Sequence, residues 1–448
     1  MNDTIAAIST PRGFGGVGII RISGKEALRI AQGIFSVEIS ESNTVYNGFV
    51  FNPDTREKID TCIALYFKSP RSYTGEDVVE LQMHGGIKNL DLVLSFILAN
   101  GARLAEKGEF TKRAFLNGKM DLLEAQSVIE LIEAKTNEAL KLASKKLFGV
   151  MSGEVENFRK KVLALLSSIE GAIDFPFDVE PINNEETSDL IKELIGDVQR
   201  YLSSYKAGRI IENGAKVVIA GKPNVGKSTL LNTLLKFDRA IVSEIPGTTR
   251  DTVEEVIDFF GVPLRLIDTA GLRETGDEIE LLGTERTIKA IEESDLVLFI
   301  FDASEILSPE DQRLAELTMG KDRIIVVNKT DLPVKLDIER LKEIFNNEKI
   351  MEISALKKQG IEELESAVLE HILPSGFESV FVTTEREKGI FEEILFSLNN
   401  SLALVGEGND ELIAEELRSV ISRLGSLTGE SVGDDILKSI FSRFCIGK

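Results

Sequence analysis

The alternation of apolar and polar positions divides the chain into segments of different texture. Over residues 1–118, short apolar runs (TIAAIS at 4–9, GVGIIRIS at 16–23, DTCIALYF at 60–67, DVVELQM at 77–83) predict β-strands, and NLDLVLSFILANG at 89–101 predicts a helix. From Lys119 the period lengthens. LLEAQSVIELIEAKTNEALKLASKKL at 122–147 and FRKKVLALLSSIEGAI at 158–173 repeat apolar residues at three and four, as long amphipathic helices do, with an interruption at Asp174-Phe175-Pro176. Another helical stretch follows Asn184. Near residue 213 strands begin to alternate with helices: KVVIA, a glycine-rich turn, STLLNTLL, then LRLIDTAG, DLVLFIFDAS, RIIVVNKTD and KIMEIS. Helical character returns from Glu385. This order predicts a multidomain α+β and α/β protein: an α+β unit over 1–118, helical segments over 119–212 and 375–448, and an α/β domain over 213–374 inserted between them, which is feasible because domain termini often lie close together.

A length of 448 residues fits about three domains. The net charge of -22 opposes non-specific attraction to phosphate backbones and anionic membranes, so a nucleic-acid substrate would have to meet a local basic patch or a helper protein. Two cysteines, Cys62 and Cys445, cannot build a disulfide framework. The opening MNDTIAAIS lacks the features of a signal peptide, and no apolar run approaches the roughly 18 residues of a membrane helix, so a cytoplasmic location with no membrane partner is expected. The ending FCIGK is unusual: a thiol three residues from a chain end is exposed to oxidation unless something holds it, so the tail calls for a binding partner.

The α/β segment carries a nucleotide site. GKPNVGKS at 221–228 fits the phosphate-loop pattern between an expected strand and helix. Its glycines let backbone N–H groups face phosphates, Lys227 neutralises charge and the Ser228 hydroxyl can ligate Mg²⁺, so Asn224, Val225, Gly226, Lys227, Ser228 and Thr229 are candidate GTP contacts. Asp268, Thr269, Ala270 and Gly271 follow a strand, suited to water-mediated Mg²⁺ binding and to sensing the γ-phosphate. Asn328, Lys329 and Asp331 end another strand, where the Asp331 carboxylate can accept from ring N1–H and the exocyclic amine of guanine. Adenine offers no such donor pair. Ser354 and Ala355 complete the base pocket. The set resembles the small, Ras-like GTP-binding domain. Leu272 stands where Ras-like proteins carry the water-orienting glutamine, so another polar group must do that work, and the acidic loop RETGDEIE at 273–280 offers several. In SEIPGTTRD at 243–251, Thr248 or Thr249 is the switch threonine for Mg²⁺. The Asn224 amide beside the phosphates could help cage a monovalent cation, offsetting the charge that builds on the transferred phosphoryl group.

Along its whole length the chain resembles the MnmE (TrmE) family of tRNA-modification GTPases, through GVGIIRISG, SYTGEDVVELQMHGG, KGEFTKRAFLNGKMDLLEAQ, DFPFD, GKPNVGKSTLLN, RAIVSEIPGTTRD, DTAGLR and FCIGK. The resemblance implies an N-terminal folate-binding-like domain that also forms a homodimer, a helical domain, and a GTPase domain inserted into it. It also implies an FAD-containing partner, MnmG (GidA), in a heterotetramer, with tRNA as the object of the reaction. The implied chemistry is addition of an aminomethyl or carboxymethylaminomethyl group to carbon 5 of the wobble uridine, with the carbon coming from 5-formyl- or 5,10-methylene-tetrahydrofolate. By the same resemblance, Arg21, Glu80, Lys119 and Lys448 take folate positions, and Cys445 lies near the one-carbon chemistry. Asn224, Ser243, Ile245 and Thr248 take K⁺ positions, Ser228 and Thr249 those of Mg²⁺, and Glu280 orients the hydrolytic water. The TTERE run at 383–387 departs from the family pattern.

Other features read as structural. GFGGVG at 13–18 formally fits a dinucleotide fingerprint, but a strand-like IIRIS follows where that motif demands a helix, so a turn between strands is expected. His84 at a strand end reads as structural, and CIGK ends in a lysine unsuited to prenylation. A competing function, an Era- or EngA-like RNA-binding assembly switch, would place a basic RNA-binding module after the GTPase domain. Residues 375–448 carry a helical, acid-containing segment instead.

Overall fold

The computed structural model describes residues 3–175, 177, 183–237, 255–268, 288–345, 348–373 and 381–448. They fall into two compact units, one made of Met1–Ile132, Lys145–Ala164 and Arg418–Lys448, the other of Glu133–Ser144 and Leu165–Leu417.

The first unit is built on a six-stranded sheet of β1 (Ile5–Ile8), β2 (Gly18–Ser23), β3 (Val45–Phe51), β4 (Lys58–Phe67), β5 (Val78–Met83) and β6 (Arg103–Leu104), ordered β3-β4-β5-β2-β1-β6. All neighbours are antiparallel except the β1–β6 pair. The period of two sorts β1 cleanly. Ala6 and Ile8 join Ile20, Ile22 and Leu81 in the core under helices α1 (Ala27–Gln32) and α2 (Ile87–Ala99), while Ile5 and Ala7 join Ala105 and Phe110 on the opposite face. GFGGVG is the turn between antiparallel β1 and β2, as its sequence predicts. Strand β3 has no counterpart among the expected strands.

After α3 (Glu109–Leu116), the stretch read as one helix over 122–147 is two, α4 (Leu122–Glu133) and α5 (Asn137–Leu147). The break follows from Thr136, whose Oγ1 accepts from Ala139 N (3.2 Å) and so caps a new helix rather than continuing the old one. Helix α6 (Val150–Asp174) ends at the expected interruption.

The chain end is packed rather than frayed. Beyond the helix Asp434–Phe441, Phe441 and Phe444 are buried against Leu122, Ala125 and Val128. Gly108 N donates to Cys445 O (3.4 Å), and Ile446 bridges to Lys107. Gly447 has φ +101°, and a Cβ there would stand 2.3 Å from Ile8 O. Gly447→Ala is therefore expected to cost about 1–3 kcal/mol through backbone strain, read as faster hydrogen exchange at the 105–108 and 445–448 amides.

The second unit holds α7 (Asn184–Ser203), capped by the Asn183 side chain, then α8 (Tyr205–Asn213) and a second six-stranded sheet. Its strands are β7 (Ala215–Ala220), β8 (Glu255–Phe259), β9 (Val262–Asp268), β10 (Leu296–Asp302), β11 (Arg323–Asn328) and β12 (Ile350–Glu352), ordered β12-β11-β10-β7-β9-β8. Every pair is parallel except the β8–β9 edge. Both faces are covered, which explains the near-continuous apolar runs. Val217 and Ile219 enter one core, Val218 and Ala220 the other. The departing TTERE run makes a capping box, in which Thr384 Oγ1 and the Glu387 carboxylate exchange bonds with each other's backbone N–H at the head of the helix Glu385–Leu404.

Candidate functional site

In a parallel sheet, loops at the carboxyl ends of neighbouring strands converge, and the strand order here brings the expected nucleotide motifs together. Residues 221–226 leave β7 and lead into α9 (Lys227–Phe237), Asp268 is the last residue of β9, Asn328 ends β11, and Ser354–Ala355 follow β12. Lys227 is buried, and its Nζ donates to the carbonyls of Gly221 (2.8 Å) and Lys222 (2.6 Å). Ser228 and Thr229 are exposed in the first turn of α9, where the helix dipole favours an anion. An exposed hydroxyl at that place suits Mg²⁺, a hard cation that binds few protein ligands besides phosphate oxygens.

The loops are fastened to one another. Asn328 Nδ2 donates to Val225 O (2.8 Å), and Asn328 Oδ1 accepts from Ala355 N (3.0 Å), so one buried amide joins the phosphate loop to the base loop. The fit is close enough that a Cβ on Gly226 would lie 2.3 Å from Asn328 Nδ2. Lys329, with φ +63°, donates to Asn224 O (2.6 Å) and to Asp302 Oδ2 (2.6 Å). Burial opposes ionisation of Asp302, but the Lys329 ammonium and the Ser304 hydroxyl and N–H outweigh it and hold the carboxyl below the usual range. Asp331 Oδ1 accepts from the buried Ser354 hydroxyl (2.6 Å), which orients the carboxylate. Asp302 and Lys222 belong to this network and are invisible as motif residues. Their only sequence signal is a charge next to an apolar strand or inside the loop.

Several sequence-predicted residues lie outside the described residues: Ser243, Ile245, Thr248, Thr249, Thr269, Ala270, Gly271, Leu272 and Glu280.

The first unit gathers a second group. Arg21 on β2 stands opposite Glu80 on β5, and this register pairs their side chains at 2.8 Å in a setting where each is 15% exposed. The Arg21 guanidinium lies over the rings of Tyr73 (5.3 Å) and Phe110 (5.6 Å), neither of which the motif reading picked out. Lys448 is close enough to feel both charges. Burial lowers its pKa, Arg21 adds to the effect and Glu80 opposes it. Lys119 Nζ bonds Pro70 O (3.0 Å), holding the segment that carries Tyr73, and makes no described contact with Arg21. The Cys445 thiol is exposed while its carbonyl is bound by Gly108 N. His84 Nδ1 meets Asp60 Oδ1 at 2.7 Å beside the strand end, an orienting pair away from this group.

Residues 4–119 match the family model described as GTP-binding protein TrmE N-terminus, and residues 122–445 match that of the MnmE helical domain. The chain is 42% identical over 456 residues to the tRNA modification GTPase MnmE of Ligilactobacillus salivarius, covering 100% of this chain and 98% of that one. The chain belongs to the MnmE family of tRNA modification GTPases. Membership makes it a GTP hydrolase serving tRNA modification. Another member of the MnmE family, from Carboxydothermus hydrogenoformans, is 41% identical over 460 residues, covering both chains fully. Among solved structures, Era of Aquifex aeolicus bound to GDP.AlF4- is 30% identical, with a TM-score of 0.29, over 41% of this chain and 67% of that one. Among the described residues of this MnmE-family chain, no helix is long and apolar enough to cross a membrane.

Proposed function

We propose that this chain is a potassium-dependent GTPase acting with an FAD-containing partner, MnmG (GidA). Together they add an aminomethyl or carboxymethylaminomethyl group to C5 of the wobble uridine, position 34, of certain tRNAs, drawing the carbon from a tetrahydrofolate derivative. The observation that supports this beyond family membership is the group Arg21, Glu80 and Lys448, half-buried beside aromatic rings in the same chain as a phosphate loop. A reduced pterin offers N–H donors that a carboxylate such as Glu80 accepts, and its glutamyl tail is an anion that Arg21 or Lys448 can pair with. When bound, the folate supplies the one-carbon unit. The residues of this chain orient it, and the exposed Cys445 thiol stands on the tail that carries Lys448.

In this reading residues 1–118 form the folate and dimerisation domain, 119–212 and 375–448 the two parts of the helical domain, and 213–374 the GTPase domain. Ser228 and Thr249 hold Mg²⁺. Asn224, Ser243, Ile245 and Thr248 cage K⁺ when two GTPase domains meet, and Glu280 orients the attacking water. Lys119 contributes to the folate site by fixing the Tyr73 segment. The assembly is a cytoplasmic homodimer joined by the partner in a heterotetramer. With a net charge of -22, the partner subunit supplies much of the positive surface that grips tRNA.

GTP hydrolysis is expected to run at least about ten-fold faster in KCl than in NaCl, because a caged cation replaces charge stabilisation that a finger residue would supply. Equal rates in the two salts overturn the cation mechanism. Nucleoside analysis of tRNA treated with this protein, the partner, GTP and the folate donor tests the whole reading, and unmodified wobble uridine under every condition overturns it.

A further inference from the structure

The phosphate loop is held at its far side by Asn328 and Lys329, through the carbonyls of Val225 and Asn224. Its near side is held by Lys222, between Gly221 and Pro223. Gly221 passes so close to β10 that a Cβ would lie 2.5 Å from Ile300 O, so this end of the loop has no room to shift toward the sheet. The Lys222 ammonium lies 2.8 Å from Asp311 Oδ2 and 3.5 Å from Glu305 Oε2. Both ends of the shorter contact are nearly dry, with the Lys222 side chain 12% exposed and that of Asp311 3% exposed.

Asp311 is itself fixed. It is the third residue of the helix Pro309–Leu317, and its Oδ2 accepts from the Ser308 N–H and hydroxyl, both at 2.9 Å, to close a capping box. Its Oδ1 is buried and has no hydrogen-bond partner among the described residues. A carboxylate in that position needs its cation. Burial by itself would lower the Lys222 pKa, but Asp311 and Glu305 outweigh it and raise it. The main-chain carbonyl of this same Lys222 is where the Lys227 ammonium rests, at 2.6 Å.

We propose that the Lys222–Asp311 ion pair is the positioning latch of the phosphate loop, fixing the Lys222 carbonyl and with it Lys227, and so setting the affinity for guanosine di- and triphosphates. Lys222 acts through Lys227 and the loop amides and touches no reacting atom. The loop reaches its phosphate-binding shape before the ligand arrives, so ordering it does not count against binding. The proposal rests on the reading of 221–228 as the GTP phosphate loop.

The test is equilibrium binding of N-methylanthraniloyl-GDP, with steady-state GTP hydrolysis and thermal unfolding of the same samples. Lys222→Met is expected to weaken binding of the probe about ten-fold, the scale of a charged hydrogen bond, and to raise KM for GTP more than it lowers kcat. Lys222→Arg, which keeps charge and reach, is expected to recover most of the affinity. In a double-mutant cycle, K222M with D311N is expected to bind no more weakly than the worse single variant, since both break one contact. Where D311N does not fold, the K222M and K222R pair decides. A wild-type chain that does not bind the probe overturns the phosphate-loop reading and the latch together. A binding wild type beside a K222M variant of equal affinity overturns the latch alone, as does a fall in unfolding temperature with affinity retained, or losses that add in the double variant.

Discussion

Asp331→Asn is expected to weaken GTP binding by about 10³-fold or more and to move the preference of the site from guanine to xanthine nucleotides, because a site built to pair a base edge rejects one that leaves its polar groups unmatched. Asp331 lies beyond the end of β11, with Oδ1 bound by the Ser354 hydroxyl at 2.6 Å. That hydroxyl is fully buried and also receives Lys357 N (3.2 Å), so the carboxylate it holds has one orientation. An ionised carboxylate accepts only, and after the Ser354 bond it keeps lone pairs for guanine N1–H and the C2 amine. An asparagine amide presents a donor there, which opposes the guanine amine but matches the C2 carbonyl of xanthine. Competition between the two nucleotides for a fluorescent guanine probe reads the change. A variant that still prefers guanine removes Asp331 from the base pocket.

Arg113→Ala is expected to destabilise the first unit by about 3 kcal/mol, since it removes a buried guanidinium, leaves Glu76 without its arginine and leaves Glu109 and Asp3 to Arg103 alone. The Arg113 side chain on α3 is 1% exposed. Its NH1 donates to Asp3 O (2.9 Å) and Glu76 (3.1 Å), and its NH2 donates to Asp3 Oδ1 and Glu109 Oε1, both at 2.9 Å. It thereby joins the strand entry, the segment before β5 and its own helix. Arg103 shares Glu109 and Asp3, so the network is continuous.

The same network sets a pH dependence. Burial would raise the pKa of Glu109, but hydrogen bonds from Arg103, from Glu106 N and from Arg113 outweigh it and depress it. For Asp3 the Arg103 hydrogen bond dominates and also depresses it. A carboxyl whose folded pKa lies below its unfolded value stabilises the fold fully above the unfolded pKa, about 4, and loses that contribution as pH falls through the folded value. The wild-type unit is therefore expected to lose stability below about pH 4, and its advantage over Arg113→Ala to shrink over the same range. Hydrogen exchange of the β1 and α3 amides follows this unit without assuming that the whole chain unfolds at once. An advantage for the wild type that is constant from pH 7 to 3 would assign the cost to packing rather than to charge.

Much of the architecture is local and so readable in one dimension. Short apolar runs identify β1, β2, β4 and β5 in the first unit and β7, β9, β10, β11 and β12 in the second, and the phosphate loop, Asn328–Asp331 and Ser354 stand at strand ends as their motifs predict. Strand β3 escapes because Asn47 and Gly48 occupy its centre, residues depleted in strands. Gly48 is required there, since a Cβ would meet Ser36 Oγ at 2.7 Å and the Phe35 ring at 3.0 Å. Strand β8 escapes as well: its alternation, Ile257 and Phe259 buried about Asp258, spans only a few residues, and its antiparallel place at the sheet edge is set by pairing with β9.

What the amino-acid order determined alone is therefore most of the elements, the family, and the loops proposed to meet a nucleotide, because period, glycine placement and motif spacing act over a few residues. The tertiary structure alone decided which charges find each other. Arg113 reaches Asp3 across 110 positions, Asn328 reaches Val225 across 103, and Lys222 reaches Asp311 only because β10 lies beside β7. No local pattern encodes such pairs. A charged side chain reads the same in sequence whether water or a buried partner satisfies it, and the burial that makes the difference exists only once the sheets have closed over it.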